Sequence, residues 1–184
     1  MSNIQLSSRT DQWGTPKSII DRVYCTFGSS IDLDPASSEL ANETIKAKRI
    51  LTEEDNGLEY EWFEKEERGS VFLNPPSGKI NGEGKTKLFW KKLVQNYEDG
   101  FLTQAIFLGF SLEQLSILQD CPYDPLDFSI CIPRKRIKFV NLINPEHKDR
   151  PTHSNFICYL NGSVDNRQKF KECFSDLGKV ILNG

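Results

Sequence analysis

The sequence predicts an α/β protein built on a mostly parallel sheet, with helices on both faces and an antiparallel edge. Three observations support this. Short apolar runs alternate with amphipathic stretches from about residue 16 to residue 119, the pattern of strand–helix–strand units. Beyond 119 the chain turns strand-rich, with apolar runs at 128–132 and 155–160 that suit an edge pair. Finally, Asp34-Pro35, Asp55 and Asn74-Pro75 each follow a strand-like run. In such sheets ligands bind outside the carboxyl ends of the strands, so these residues should meet in one crevice.

Residues 16–27 carry Ile19, Ile20, Val23 and Phe27 at helical spacing, with Pro16 at the first helical position and Thr15 as cap. Residues 31–35 read as a short strand entering a turn. Ser37 or Ser38 then caps a second helix, with Glu39 and Glu43 in its opening turns, where the helix dipole favours them. A strand at 49–52 runs into the acidic turn Glu53-Glu54-Asp55-Asn56-Gly57, and 69–73 is another strand. Residues 78–87, rich in Gly and Lys, read as a mobile loop. Helices are predicted at 88–97, 112–119 and 170–177, and strands at 104–110, 128–132, 155–160 and 179–182.

A chain of 184 residues with 38% hydrophobic and 27% charged residues fits a single globular domain over 11–184, after a polar tail at 1–10. The tail lacks the apolar segment of a signal peptide and no run is long enough to span a bilayer, so a cytoplasmic location and no membrane partner are expected. Five widely spaced cysteines form no C-x-x-C pair and have only His147 and His153 to supplement them. They read as reduced, mostly buried thiols, with no metal site expected.

The net charge of −3 gives no bulk attraction to nucleic acid, but its distribution is uneven: 8 Lys/Arg against 14 Asp/Glu in residues 1–70, and 15 against 12 in residues 71–184. Lys79, Lys85, Lys87, Lys91 and Lys92 form one basic cluster and Arg134, Lys135, Arg136 and Lys138 another. Two readings fit these clusters, a phosphate footprint or a solvated surface.

The most informative feature is Asn74-Pro75-Pro76-Ser77, which follows the apolar run Val71-Phe72-Leu73. Each proline fixes φ near −65° and removes an N–H donor, and the residue before a proline is held extended. The corner is therefore rigid and rich in acceptors, suited to gripping a planar amino group. A plain turn after a buried strand is the alternative.

Six segments in order settle the choice: Trp13-Gly-Thr-Pro16, Asp32-Leu-Asp-Pro-Ala36, Asp55-Asn-Gly-Leu58, Asn74-Pro-Pro-Ser77, Arg136-Ile-Lys-Phe139 and Pro151-Thr-His-Ser154. Together they resemble the phage and prophage DNA N-6-adenine methyltransferases. The resemblance implies a Rossmann-like, S-adenosylmethionine-dependent sheet that methylates the exocyclic amine of adenine in double-stranded DNA, without a metal. It places Trp13, Thr15, Pro16, Asp32, Asp34, Pro35, Ala36 and Asp55 (or Glu53 or Glu54 beside it) at the cofactor, with Asp34 receiving the methionine amine. It assigns Asn74, Pro75, Pro76 and Ser77 to catalysis. Lys79, Lys85, Lys87, Arg134, Lys135, Arg136 and Lys138 become DNA contacts, and residues 120–153 a possible DNA-contact segment.

Two departures stand out. Asp32 to Ala36 occupies the place of the usual Gly-rich first loop. Ser77 replaces the aromatic ring that stacks on the flipped base, leaving Phe89 and Trp90 as candidate substitutes. Cytosine N4, RNA or a protein glutamine remain alternative substrates, and a DNA-binding protein that has lost catalysis is a further alternative.

Overall fold

The computed structural model describes residues 13–147 and 152–183. The elements are β1 (Trp13–Gly14), α1 (Lys17–Phe27), β2 (Leu33–Asp34), α2 (Glu39–Ile45), β3 (Arg49–Ile50) and β4 (Gly69–Leu73). They continue with β5 (Lys79–Ile80), β6 (Glu83–Gly84), α3 (Lys85–Glu98), β7 (Leu102–Gly109) and α4 (Glu113–Gln119). Last come β8 (Ser129–Pro133), β9 (Val140–Asn141), β10 (Phe156–Leu160), α5 (Val164–Phe174) and β11 (Gly178–Ile181).

Seven strands form one mixed sheet in the order β11-β8-β10-β7-β4-β2-β3. Strands β3, β2, β4 and β7 are parallel, while β10, β8 and β11 add antiparallel neighbours. Helices α3 and α4 cover one face through Phe89, Trp90, Leu93, Val94 and Leu118. On the other face, α1, α2 and α5 pack through Ile20, Val23, Ile45, Phe170 and Phe174. This arrangement is consistent with a Rossmann-like sheet. Among the described residues no helix is long and apolar enough to cross a membrane.

Several local expectations need correction. Residues 78–87 are not an irregular loop. Strands β5 and β6 form a hairpin, and α3 begins already at Lys85. At its tip Asn81 and Gly82 both have positive φ, 50° and 86°, which Asn-Gly adopts readily in tight hairpin turns. Pro16 is the N-cap of α1 rather than its first residue, and no side chain caps that helix. Helix α5 starts six residues before the expected 170, capped by the Ser163 hydroxyl, which accepts from the Asn166 N–H. Its first two turns expose mostly polar residues, so apolar periodicity could not reveal them.

The cysteines are not all reduced: exposed Cys25 on α1 and buried Cys173 on α5 are joined in a disulfide, 148 residues apart in sequence. Cys121, Cys131 and Cys158 are free and buried, and burial pushes the Cys131 thiol up to about 12. A cross-link closing so long a loop restricts the unfolded chain strongly. Cys25→Ser should therefore lower stability by about 2–4 kcal/mol. Denaturant unfolding with and without reductant checks this: reductant should shift the wild type but leave the variant unmoved.

Candidate active site

The carboxyl ends of β2, β4 and β7 lie along one edge of the sheet because the three strands are parallel and adjacent. Leu33 pairs with Val71, and Leu73 with Phe107. Asp34, Asn74 and Phe110 therefore emerge along the same rim.

At the end of β2, Asp34 is 1% exposed. Its Oδ1 accepts from the Ala36 N–H at 3.2 Å. The buried Ser37 hydroxyl lies close enough to ease its ionisation without making a well-formed hydrogen bond. No described cation pairs with Asp34. Burial pushes its pKa up to about 7, opposed by Ala36 and Ser37. The following turn is locked to the acidic loop: Ser37 N–H donates to Leu51 O, and Leu51 N–H to Asp34 O. Gly57 packs so tightly that a Cβ there would lie 2.0 Å from the Pro35 carbonyl oxygen. Asp34-Pro35 and the 55–58 turn thus converge as expected, through backbone rather than through the Asp55 side chain.

At the end of β4, Asn74 is half-buried, Pro75 is buried, and Pro76 and Ser77 are exposed. The Asn74 amide Nδ2 donates to Thr15 Oγ1 at 3.3 Å, across 59 residues. Thr15 is buried, and its arm is held in place by β1 pairing with β9, Trp13 opposite Asn141 and Gly14 opposite Val140. Instead of capping α1, Thr15 fixes Asn74. With Nδ2 so engaged, no described residue donates to Asn74 Oδ1.

Other sequence candidates are engaged elsewhere. Asp32 does not join Asp34: its carboxylate accepts from Ser70 N–H at 2.9 Å and pairs with Lys48 at 2.7 Å. Burial alone would raise its pKa, but Lys48 and Ser70 hold it below the usual range. Exposed Asp55 accepts from the Thr52 N–H and hydroxyl, both at 2.8 Å, closing its own turn and lowering its pKa. Glu53 faces Lys85 at 4.0 Å. Arg134 donates to the Ser175 and Asp176 carbonyls after α5, and Arg134, Lys135, Arg136 and Lys138 are all exposed.

Phe89 and Trp90 cannot stack on a base. Both are buried, and Trp90 donates to Tyr123 O while contacting Phe107 and Phe128 edge-on. With Leu93 and Val94 they form the inner stripe of α3. A cavity of about 350 Å³ lies between Asn56, Leu58, Ile80, Leu88 and Lys92. Neither Asp34 nor Asn74 lines it.

One residue the sequence did not single out is Asn155, buried before β10. Its Nδ2 donates to Phe110 O at 3.1 Å and its Oδ1 accepts from Ile137 N–H at 3.1 Å. It thereby links the sheet rim to the basic segment. Its place beside the Pro-Thr-His-Ser block was the available signal.

The model of the DNA N-6-adenine-methyltransferase (Dam) family matches residues 2–170. The chain belongs to this family. No curated protein and no solved structure matches it. Membership in the Dam family makes the chain a methyltransferase family member and supports adenine N6 methylation of DNA in general.

The environment of Asp34 has a measurable consequence. Its folded-state pKa, about 7, stands above the ordinary 3.8, so the native state holds the proton more tightly than the unfolded chain. The resulting stabilisation is complete below about pH 4 and is lost as pH rises through 7. Comparing wild type with Asp34→Asn in denaturant titrations from pH 4 to 8 should show a difference that grows by on the order of 4 kcal/mol, with the variant gaining relative stability at high pH. A difference independent of pH would contradict the burial argument.

Proposed function

We propose that this protein transfers a methyl group from S-adenosylmethionine to the exocyclic amine of adenine in double-stranded DNA. The observation that carries the proposal is the rim itself: an Asn-Pro-Pro corner with a braced amide, beside a buried carboxylate that no described cation pairs. The donor set fits the cofactor, because the ammonium of its methionine end would give Asp34 the cationic partner that no described residue supplies. Pro35 and Ala36 follow Asp34 directly, Ala36 donating its N–H to the carboxylate, and Thr15 is joined to the rim through Asn74.

When bound, S-adenosylmethionine supplies a methyl group already activated on a sulfonium. The protein's task is then to position the nucleophile and orient its lone pair. The adenine amine is a poor nucleophile because its lone pair is delocalised into the ring. Asn74 Oδ1 and the Pro75 carbonyl accept its two protons, which favours a pyramidal nitrogen with the lone pair directed at the methyl carbon. These acceptors stabilise the positive charge that develops on nitrogen more than they stabilise the neutral amine. Thr15 keeps the Asn74 acceptor outward by holding the amide's nitrogen end. In a duplex the base must first leave the stack.

Asn74→Ala should reduce methyl transfer by at least about 100-fold while leaving cofactor affinity nearly unchanged. Tritiated methyl transfer to unmethylated DNA, followed by nucleoside chromatography, measures the first. Calorimetry measures the second. Label in N6-methyladenine supports the assignment; label in N4-methylcytosine, or none in DNA, refutes it.

Lys135 and Lys138, exposed beside the rim, are proposed as phosphate contacts, whereas Arg134 braces α5. Neutralising both lysines should flatten the slope of log affinity against log salt by about two, equally for all DNA sequences. An unaltered slope would make the segment a solvated surface.

A further inference from the structure

Ser77 follows the catalytic corner where a ring would cover the face of the target base, yet its side chain has no ring and is exposed. The two aromatic substitutes nearest in sequence are buried in the core. Phe110, by contrast, is 45% exposed and stands just beyond β7 on the same rim. We propose that Phe110, backed by His153, is the surface on which the target base stacks in place of the ring missing at 77. This rests on the adenine-methylating reading above.

Register supplies the first argument. Strands β4 and β7 are adjacent and parallel, with Leu73 opposite Phe107. Asn74 is one residue past this pair and Phe110 three, so Phe110 stands one strand across and two residues farther out. With about 4.8 Å between strands and about 3.3 Å per residue, their backbones are about 8 Å apart. That offset lets a ring rooted at one strand end cover a base whose amine is held at the next.

Rigidity supplies the second. A single exposed apolar side chain is common on protein surfaces, but the Phe110 backbone is hydrogen-bonded at both its N–H and its carbonyl and its ring has a partner. Its N–H donates to Gln114 Oε1 at 3.1 Å, its carbonyl accepts from Asn155 Nδ2 at 3.1 Å, and nearby Leu112 N–H donates to Ser154 O at 2.8 Å. His153 meets the ring edge-on, with centroids 4.6 Å apart and planes at 61°. A platform fixed beforehand loses little conformational freedom on binding. Asn155 also ties this platform to Ile137 in the basic segment, so the ring and the phosphate-binding side chains keep a constant relation.

The test compares Phe110→Ala, Phe110→Leu, Phe110→Trp and Trp13→Ala, because Trp13 is an exposed aromatic on the arm that reaches Asn74. Target adenines are mapped first in plasmid DNA methylated by the wild type, and one is replaced by 2-aminopurine in a duplex. Phe110→Ala and Phe110→Leu should lose about 10-fold to 100-fold in kcat/KM for DNA, the range for removing one base–aromatic stack. They should also change the 2-aminopurine emission of the bound duplex, with cofactor affinity and melting temperature unchanged. Phe110→Trp should restore most of the activity. The proposal falls if Phe110→Ala keeps wild-type kcat/KM, if Leu substitutes as well as Trp, or if Trp13→Ala alone alters the emission. If the wild type methylates no adenine in DNA, the functional reading itself fails, and the proposal with it.

Discussion

Strand β4 is hydrogen-bonded in parallel on both sides, to β2 and to β7, and all five of its residues are buried. Everything proposed for the site hangs from this central strand. Its parallel neighbours bring Asp34 and Phe110 to the rim where Asn74 emerges. The prolines that follow then prevent the chain from continuing the ladder or relaxing into a helix. A one-residue slip in the β4 register would exchange its two faces, which separate cores on opposite sides of the sheet resist: Val71 and Leu73 pack in one, Phe72 in the other.

Much of this was legible in the sequence, because strand ends followed by Asp-Pro and Asn-Pro-Pro mark the carboxyl edge of a parallel sheet directly. Chemistry at the ends of short strands leaves a local signature, and Asp34 and Asn74 carry it. Contacts between distant segments leave none. The Thr15–Asn74 hydrogen bond, the Asn155 link to Ile137 and the Cys25–Cys173 pair each depend on how the sheet closes. Phe89 and Trp90 misled because adjacency to a presumed loop suggested exposure, when with Leu93 and Val94 they form the buried face of α3. Asn81-Gly82 was a hairpin signal obscured by the lysines and glycines around it.

The two polar side chains at the rim are prepared in opposite ways. Asn74 is held by a partner that fixes its direction while leaving one acceptor open. Asp34 is enclosed by backbone and hydroxyl groups too weak to offset its loss of solvent, which leaves it poised between its protonated and ionised forms near pH 7. A cationic ligand there would favour the ionised form, so binding below about pH 7 would release a proton by the same linkage. The acidic loop contributes by shape: Gly57 against Pro35 forms a wall that any larger residue would displace.

The disulfide gives the molecule a further, topological property. Joining Cys25 to Cys173 encloses six of the seven strands of the main sheet within one covalent ring, leaving only β11 outside. A single peptide-bond cleavage anywhere inside that ring opens the chain without separating it into two molecules. Thr15 lies outside the ring, only ten residues before the bridge. The segment that braces Asn74 is therefore tethered to a closed covalent frame, and it can be lost by cleavage of its own short stretch while the frame stays whole.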